Sequence, residues 1–392
     1  MKEVIYLDNN ATTPIDPVVL DAMMPYLTSN FANANSTHQF GVDAYEAVKM
    51  ARKQVADLIG AEVNEIIFTS GATEAINLAI KGVAESYSPR GRHIVTAQTE
   101  HHAVLDTCRY LETKGYEVTY MPVTKDGLID PDIFKQSIRP DTILVCIMYV
   151  NNETGVIQPI RDFARLTHEA GALFMTDATQ AVGKIPVDVL LDDIDLLCFS
   201  GHKFYAPKGI GGLFIKQRRP NKVKISALLH GGGHEKGLRS GTLNVPGIVA
   251  LGKASEIAKK NMKTDAERIG KMRDFLESKL LTLDGTALNG NVNQRIYSTT
   301  NIRFSGIDSD ALIMALSDPQ SDEPMIAVSN GSACTSTSVE PSHVLTAMGL
   351  SEKDAFCCIR FSLSKYSSAE HMKTVIERVL KALFELRLLL SS

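Results

Sequence analysis

Leu196-Leu197-Cys198-Phe199-Ser200-Gly201-His202-Lys203 is the stretch on which the fold turns. Four apolar residues make a short strand with no polar face. A lysine follows, just before the glycine-rich Pro207-Lys208-Gly209-Ile210-Gly211-Gly212. A lysine at the end of a buried strand loses its water, and desolvation lowers its pKa until the amine can act in Schiff-base chemistry. A lysine taken singly is most often a solvated surface residue. Its place after an apolar strand is what singles out Lys203.

About 26 residues upstream, Ala172-Leu173-Phe174-Met175 makes a second apolar strand that runs into Thr176-Asp177-Ala178-Thr179-Gln180. Open α/β sheets bind ligands beyond the carboxyl ends of their strands, where Asp177 falls. Opposite a pyridinium nitrogen it would keep that nitrogen protonated and maintain an electron sink; taken alone, it reads as a helix N-cap. Ser70-Gly71-Ala72-Thr73 follows the strand Ile66-Ile67-Phe68-Thr69 and opens a helix, either as a phosphate cradle or as a plain glycine turn with a threonine cap. His101 follows the strand from His93 to Ala97 and could stack on an aromatic ring and exchange protons. His101-His102 lacks a third spaced partner for a metal, and no metal is expected. His230-Gly231-Gly232-Gly233-His234 has helical spacing but too many glycines for a helix.

Further strands are expected at Glu117 to Pro122, Thr142 to Val150 and Gly212 to Ile215, with helices at Ala72 to Lys81 and Leu105 to Lys114. Unbroken apolar runs such as Ile143-Leu144-Val145-Cys146-Ile147-Met148 suit strands buried on both faces of a mostly parallel sheet. Strand and helix alternating at this spacing mean an α/β layered fold. Past about Pro246 the texture changes. A long helix (Ile248 to Leu281), strands at Asn301 to Phe304 and Cys357 to Ser362, and a terminal amphipathic helix (Ala369 to Leu389) indicate a second, smaller α+β domain.

The chain has 392 residues, 44% hydrophobic and 22% charged, which excludes disorder and fibrous repeats. Its net charge of -4 lacks the basic footprint of a nucleic-acid binder, so no direct nucleic-acid contact is expected. No apolar run approaches the roughly 20 residues needed to cross a bilayer, and the first residues carry no signal-peptide core. Six scattered cysteines, none in a CxxC pair, suit neither a disulfide framework nor a zinc ribbon. A cytoplasmic protein with reduced thiols and no membrane partner is the expectation.

In order along the chain come Leu7-Asp8-Asn9-Asn10-Ala11-Thr12-Thr13-Pro14, Ser70-Gly71-Ala72-Thr73-Glu74 and Thr99-Glu100-His101. Val150-Asn151-Asn152-Glu153-Thr154-Gly155, Asp177-Ala178-Thr179-Gln180, Ser200-Gly201-His202-Lys203 and Arg239-Ser240-Gly241-Thr242 follow. Gly331-Ser332-Ala333-Cys334-Thr335-Ser336 and Ile359-Arg360-Phe361-Ser362 close the series. Together they resemble the NifS/IscS group of cysteine desulfurases, in the class V branch of the fold-type I pyridoxal-phosphate enzymes. The resemblance covers nearly the whole chain.

That resemblance implies a large domain built on a mostly parallel seven-stranded sheet flanked by helices, with a smaller α+β C-terminal domain. The divisions expected are residues 1–15, an N-terminal segment packing with the small domain; 16–258, the large domain; and 259–392, the small domain carrying the catalytic cysteine loop. It implies conversion of L-cysteine to L-alanine with pyridoxal 5'-phosphate, the sulfur being held as a persulfide on Cys334. Lys203 resembles the Schiff-base lysine, Asp177 the partner of the pyridine nitrogen and Gln180 the donor to the phenolic oxygen. His101 resembles the ring-stacking, proton-handling histidine. Ala72, Thr73, Ser200 and His202 match the phosphate-binding set. Thr242 matches a threonine that reaches the neighbouring subunit's phosphate, which implies a homodimer. Arg360 resembles the clamp on the substrate carboxylate, with Asn152 beside it, also grouped with the cofactor contacts, and Asn35 as a further substrate-binding candidate.

The polar stretch from Ser329 to Ser338 around Cys334 suits a loop that moves a thiolate between substrate and acceptor. The implied acceptors are proteins of iron–sulfur assembly, tRNA thiolation or DNA phosphorothioation. The acidic run Ser317-Asp318-Pro319-Gln320-Ser321-Asp322-Glu323-Pro324 and Asn330 depart from the family pattern and bear on which acceptor is served. The alternatives are another class V aminotransferase or lyase, which needs no mobile thiol, and an idle scaffold binding sulfur-pathway partners.

Overall fold

The computed structural model describes residues 3–218, 222–331 and 340–391. Cys334 lies outside them. Twelve strands form among the described residues: β1 (Val4–Tyr6), β2 (Ile66–Thr69), β3 (His93–Ala97), β4 (Glu117–Met121), β5 (Thr142–Cys146), β6 (Leu173–Asp177), β7 (Leu196–Ser200), β8 (Gly211–Ile215), β9 (Thr286–Leu288), β10 (Thr299–Phe304), β11 (Met325–Ala327) and β12 (Cys358–Ser362). The helices needed below are α1 (Pro17–Thr28), α2 (Gln39–Ile59), α3 (Ala72–Tyr87), α4 (His102–Glu112), α5 (Val245–Leu280) and α6 (Ala369–Ser391).

Seven strands form one sheet in the order β2-β8-β7-β6-β5-β3-β4. Its neighbours run parallel except β8, which is antiparallel to both β2 and β7. Every residue of β2, β3, β5, β7 and β8 is buried, as unbroken apolar runs require when both faces are covered. Leu197 and Phe199 enter one hydrophobic core, Leu196 and Cys198 the core on the opposite face. The strand expected over Thr142 to Val150 stops at Cys146. Past it, Ile147 and Tyr149 still hydrogen-bond along β6, but the chain bends over the sheet end, where Met148 and Val150 reach the cleft.

α1 and α2 were not anticipated. α1 starts on an Asp16 N-cap with Pro17 at its first position. α2 buries Ala44, Val48, Ala51, Val55 and Ile59 along one stripe.

A separate core joins Ile302, Phe304, Ile359 and Phe361 of the antiparallel sheet β12-β10-β9 to Met372, Val375 and Val379 of α6. Ile5 and Leu7 from the N-terminal segment sit in the same core, because β1 pairs in parallel with β11. α5, 36 residues long, serves both regions. Val245, Ile248, Leu251 and Ala254 pack under the large sheet, and Ile269, Met272, Leu276 and Leu280 enter the C-terminal core.

Candidate active site

β6 and β7 lie side by side in parallel register, so Asp177 and Ser200 finish at the same edge of the sheet. Beyond that edge a cleft of about 570 Å³ opens. The N-terminus of α3, the turn after β7 and Arg360 of β12 close it. Ala72, Thr73, His101, Asn152, Asp177, Gln180, Ser200, His202, Lys203 and Arg360 all line it. Asn35 and Thr242 are exposed and stand outside the lining. Gly331 and Glu340, the described residues flanking the segment that contains Cys334, both border the cleft.

Each side chain is placed by local structure. Lys203 follows the strand end, and its Nζ donates to the carbonyls of Asn10 and Ala11, 2.7 Å each. Tyr205, two residues on, is held at φ 72, a conformation costly for a side chain of that size, by a bond from its amide to Thr13 Oγ1. Asp177 is buried, and its Oδ1 accepts from the amide of Thr179 at 3.0 Å. His101 caps α4: its Nδ1 accepts from the Ala103 amide at 3.0 Å, so a neutral ring carries its proton on Nε2. Desolvation lowers the His101 pKa; the Asp177 charge opposes this and the Lys203 charge adds to it.

Gly71 opens α3 with no side-chain cap, which leaves the first helical amides facing the cleft. A Cβ at Gly71 would lie 3.5 Å from Ser200 Oγ, so the hydroxyl stands over the same helix end. Glu74 takes the amide of Ser70 at 2.8 Å and pairs with Arg239 at 2.8 Å, which fixes this turn from behind. Burial, helped by the charges of Lys203, Lys208 and Lys184, lowers the His202 pKa to about 4, so that ring is neutral near pH 7.

Arg360 is 1% exposed. Its Nη2 donates to Asp8 Oδ1 at 2.6 Å and its Nη1 to the Asn152 carbonyl at 3.1 Å, while Nε is buried with no partner. Thr179 Oγ1, on the cleft wall, is also buried and unpartnered. Orphaned polar atoms of this kind are costly unless a ligand uses them. Uncapped helix amides suit a phosphate, a lysine amine suits an aldehyde, and a buried carboxylate suits a basic ring nitrogen. The donor set therefore fits pyridoxal phosphate. Among the described residues no cluster of His, Cys, Asp or Glu could hold a metal ion, and no helix is long and apolar enough to cross a membrane.

Four residues of the site carried no assigned role in the sequence reading. Asn10 is a junction: its carbonyl accepts from Lys203 and from Gln180 Nε2, and its side chain donates to the Asn152 carbonyl and Thr299 Oγ1. Asp8 holds Arg360. Lys184 holds Gln180. Glu153 is buried, accepts from Ser342 Oγ at 2.5 Å and is pushed up to about 7 by desolvation. Asp8, Asn10 and Glu153 stood inside quoted motifs; Lys184 had no signal beyond its place after Gly183.

The family model for class V aminotransferases matches residues 5–375. Cysteine desulfurase IscS of Actinobacillus succinogenes is 50% identical over 390 residues, 99% of this chain and 94% of that protein. A solved NifS-like protein superposes with a TM-score of 0.90 at 38% identity, covering 98% of this chain and 100% of its own. A structure of SspA in complex with cysteine matches with a TM-score of 0.81 at 38% identity, covering 94% and 100%. A family match over most of the chain, with near-full-length agreement in sequence and fold, leads to one conclusion: the chain belongs to the class V aminotransferase family.

Proposed function

We infer that this chain is a pyridoxal 5'-phosphate-dependent cysteine desulfurase, converting L-cysteine to L-alanine and collecting the sulfur on Cys334. The observation that carries this reading is the convergence of Lys203, Asp177, Gln180, His101 and Arg360 on one cleft, in a chain 50% identical over 390 residues to a protein named cysteine desulfurase. The cysteine bound to SspA supports the substrate.

Once bound, pyridoxal phosphate draws electrons from the substrate's Cα and Cβ. Lys203 would tether it and would move the proton at Cα. Asp177 would keep the ring nitrogen protonated. Gln180 would donate to the phenolic oxygen, Ala72, Thr73, Ser200 and His202 would hold the phosphate, and Asn152 would join the cofactor contacts. Arg360 takes the substrate carboxylate through its planar fork, aligning Cβ–S with the approach of the thiol. His101 is assigned to the substrate thiol's proton, which it can take only on Nδ1, in exchange for the bond from the Ala103 amide. The Cys334 thiolate bonds to the substrate sulfur as the Cβ–S bond breaks. The carbon skeleton keeps the electron pair, gains protons and leaves as alanine, and Cys334 is left as a persulfide for an acceptor protein.

We read the enzyme as a homodimer in which Thr242, exposed ahead of α5, would reach the neighbouring subunit's phosphate. Asn35, also exposed, is kept as a further substrate-binding candidate in that assembly. A thiolate that must stay reduced fits a reducing compartment, the cytoplasm. Residues 1–15 and 259–392 form the small domain in this reading, and 16–258 the large one. The test is turnover of L-cysteine with a reductant: sulfide and alanine appear in equal amounts. Cys334→Ser keeps the yellow absorbance and loses sulfide release; native-rate turnover by that variant would overturn the persulfide assignment.

A further inference from the structure

Behind the cleft lies a second buried lysine, Lys184, 9% exposed. It stands on the turn after β6, where Gly183 has φ +78 and a Cβ would meet the ring of Phe204 at 2.7 Å. Only glycine lets this turn press against the residue that follows Lys203. Lys184 Nζ donates to Gln180 Oε1 at 2.6 Å and to Asn10 Oδ1 at 3.3 Å. Gln180 Nε2 in turn donates to the Asn10 carbonyl at 3.0 Å, the same oxygen that takes Lys203 Nζ.

A glutamine amide has two orientations, related by exchanging oxygen and nitrogen. Here one end meets a backbone carbonyl, which only accepts, and the other a lysine that, while protonated, only donates. Gln180 is thereby forced to turn its oxygen to Lys184 and its N–H groups to Asn10 and the cleft. The charged groups facing Lys184 are Lys203, from the turn after β7, and Arg360, from β12; its neutral partners are Gln180 and Asn10. Burial, with those two positive neighbours, lowers the Lys184 pKa to about 7. Keeping such a group costs desolvation energy that an apolar residue of similar length would avoid.

We propose that Lys184 is a positioning residue for the cofactor, locking Gln180 with its N–H toward the phenolic oxygen and opposing positive charge on the Lys203 nitrogen. The proposal rests on the reading of the cleft as a pyridoxal phosphate site. Both effects act in one direction. A donor to the phenolic oxygen and a nearby cation each make the Schiff-base nitrogen easier to deprotonate, so losing Lys184 raises its titration midpoint.

The experiment uses purified full-length holoenzyme, titrating the visible absorbance with pH and recording thermal melting, for the parent, Lys184→Met and Lys184→Gln. Lys184→Met is expected to stay yellow, to melt no lower than the parent and to titrate about one pH unit higher. Lys184→Gln, which keeps an amide donor for Gln180 but no charge, shifts less. A lower melting temperature with an unmoved midpoint assigns Lys184 a purely structural role and overturns the proposal. If Lys184→Met does not fold, an unmoved midpoint in Lys184→Gln does the same. A parent enzyme without any visible band overturns the cofactor reading instead, and the two failures are distinct.

Discussion

A thiol reacts as its thiolate, and burial in apolar surroundings keeps it protonated. Cys108, Cys146, Cys198, Cys357 and Cys358 are all buried. Desolvation pushes Cys108 and Cys358 up to about 12, and Cys146 and Cys198 well above the ordinary thiol range. Sulfur transfer by Cys108, Cys146, Cys198 or Cys358 would need a thiolate that the fold suppresses. Arg360 is the other residue whose chemistry is set by geometry. Its guanidinium already spans Asp8 and the Asn152 carbonyl, which leaves it rigid for an incoming carboxylate. A lysine at 360 cannot reproduce that fork. Arg360→Lys should raise KM for L-cysteine by about tenfold or more, with a smaller fall in kcat, in steady-state assays. Lys203, Asp177 and His101 were legible in the sequence because each follows an apolar strand whose end is a site by topology. Asn10 and Asp8 were not, since their partners lie 193 and 352 residues away. Lys184 was hidden by the expectation that a lysine is solvated.

At the scale of elements, the cleft depends on β7, β8 and the start of α3 meeting without side chains between them. A Cβ at Gly211 would stand 2.5 Å from the Phe199 carbonyl and 2.7 Å from Gly71 Cα. Both are backbone atoms that cannot rotate away. Gly211→Ala should cost about 2 kcal/mol of stability and weaken cofactor retention, read from denaturant midpoints and from the visible band after dialysis. The central strands were readable because residues buried on both faces leave an unbroken apolar run. α1 was not, since Val18, Leu20, Met24 and Leu27 are apolar yet exposed, and no stripe stands out. The buried stripe of α2 mixes Ala44, Ala51 and Ala56 with Val48, Val55 and Ile59, and the alanines dilute its apolar pattern. The acidic run before β11 is anchored rather than loose: Glu323 pairs with Arg378 of α6 at 2.9 Å, and Arg378 also donates to the Ala315 carbonyl.

For the whole molecule, a buried acid ties stability to pH. Desolvation holds Glu153 at about 7 against an ordinary value of 4.5. The folded state therefore binds a proton that the unfolded chain has released between those values. Stability from this group is fully present below about 4.5 and is lost as pH rises through 7, by up to about 3 kcal/mol. Glu153→Gln, neutral at every pH, should remove that slope, so the gap in denaturant midpoint between variant and parent widens from pH 5 to pH 8. A constant gap would show that Glu153 is already ionised at the lower pH.

Because α5 is a single rod gripped by two cores, the angle between them is written in its residue count. One extra amino acid between Ala254 and Ile269 would twist one grip against the other by about 100° while leaving each core its own contacts. Such an insertion should sever Arg360 from the lysine it faces, a broken hinge pin rather than a melted protein.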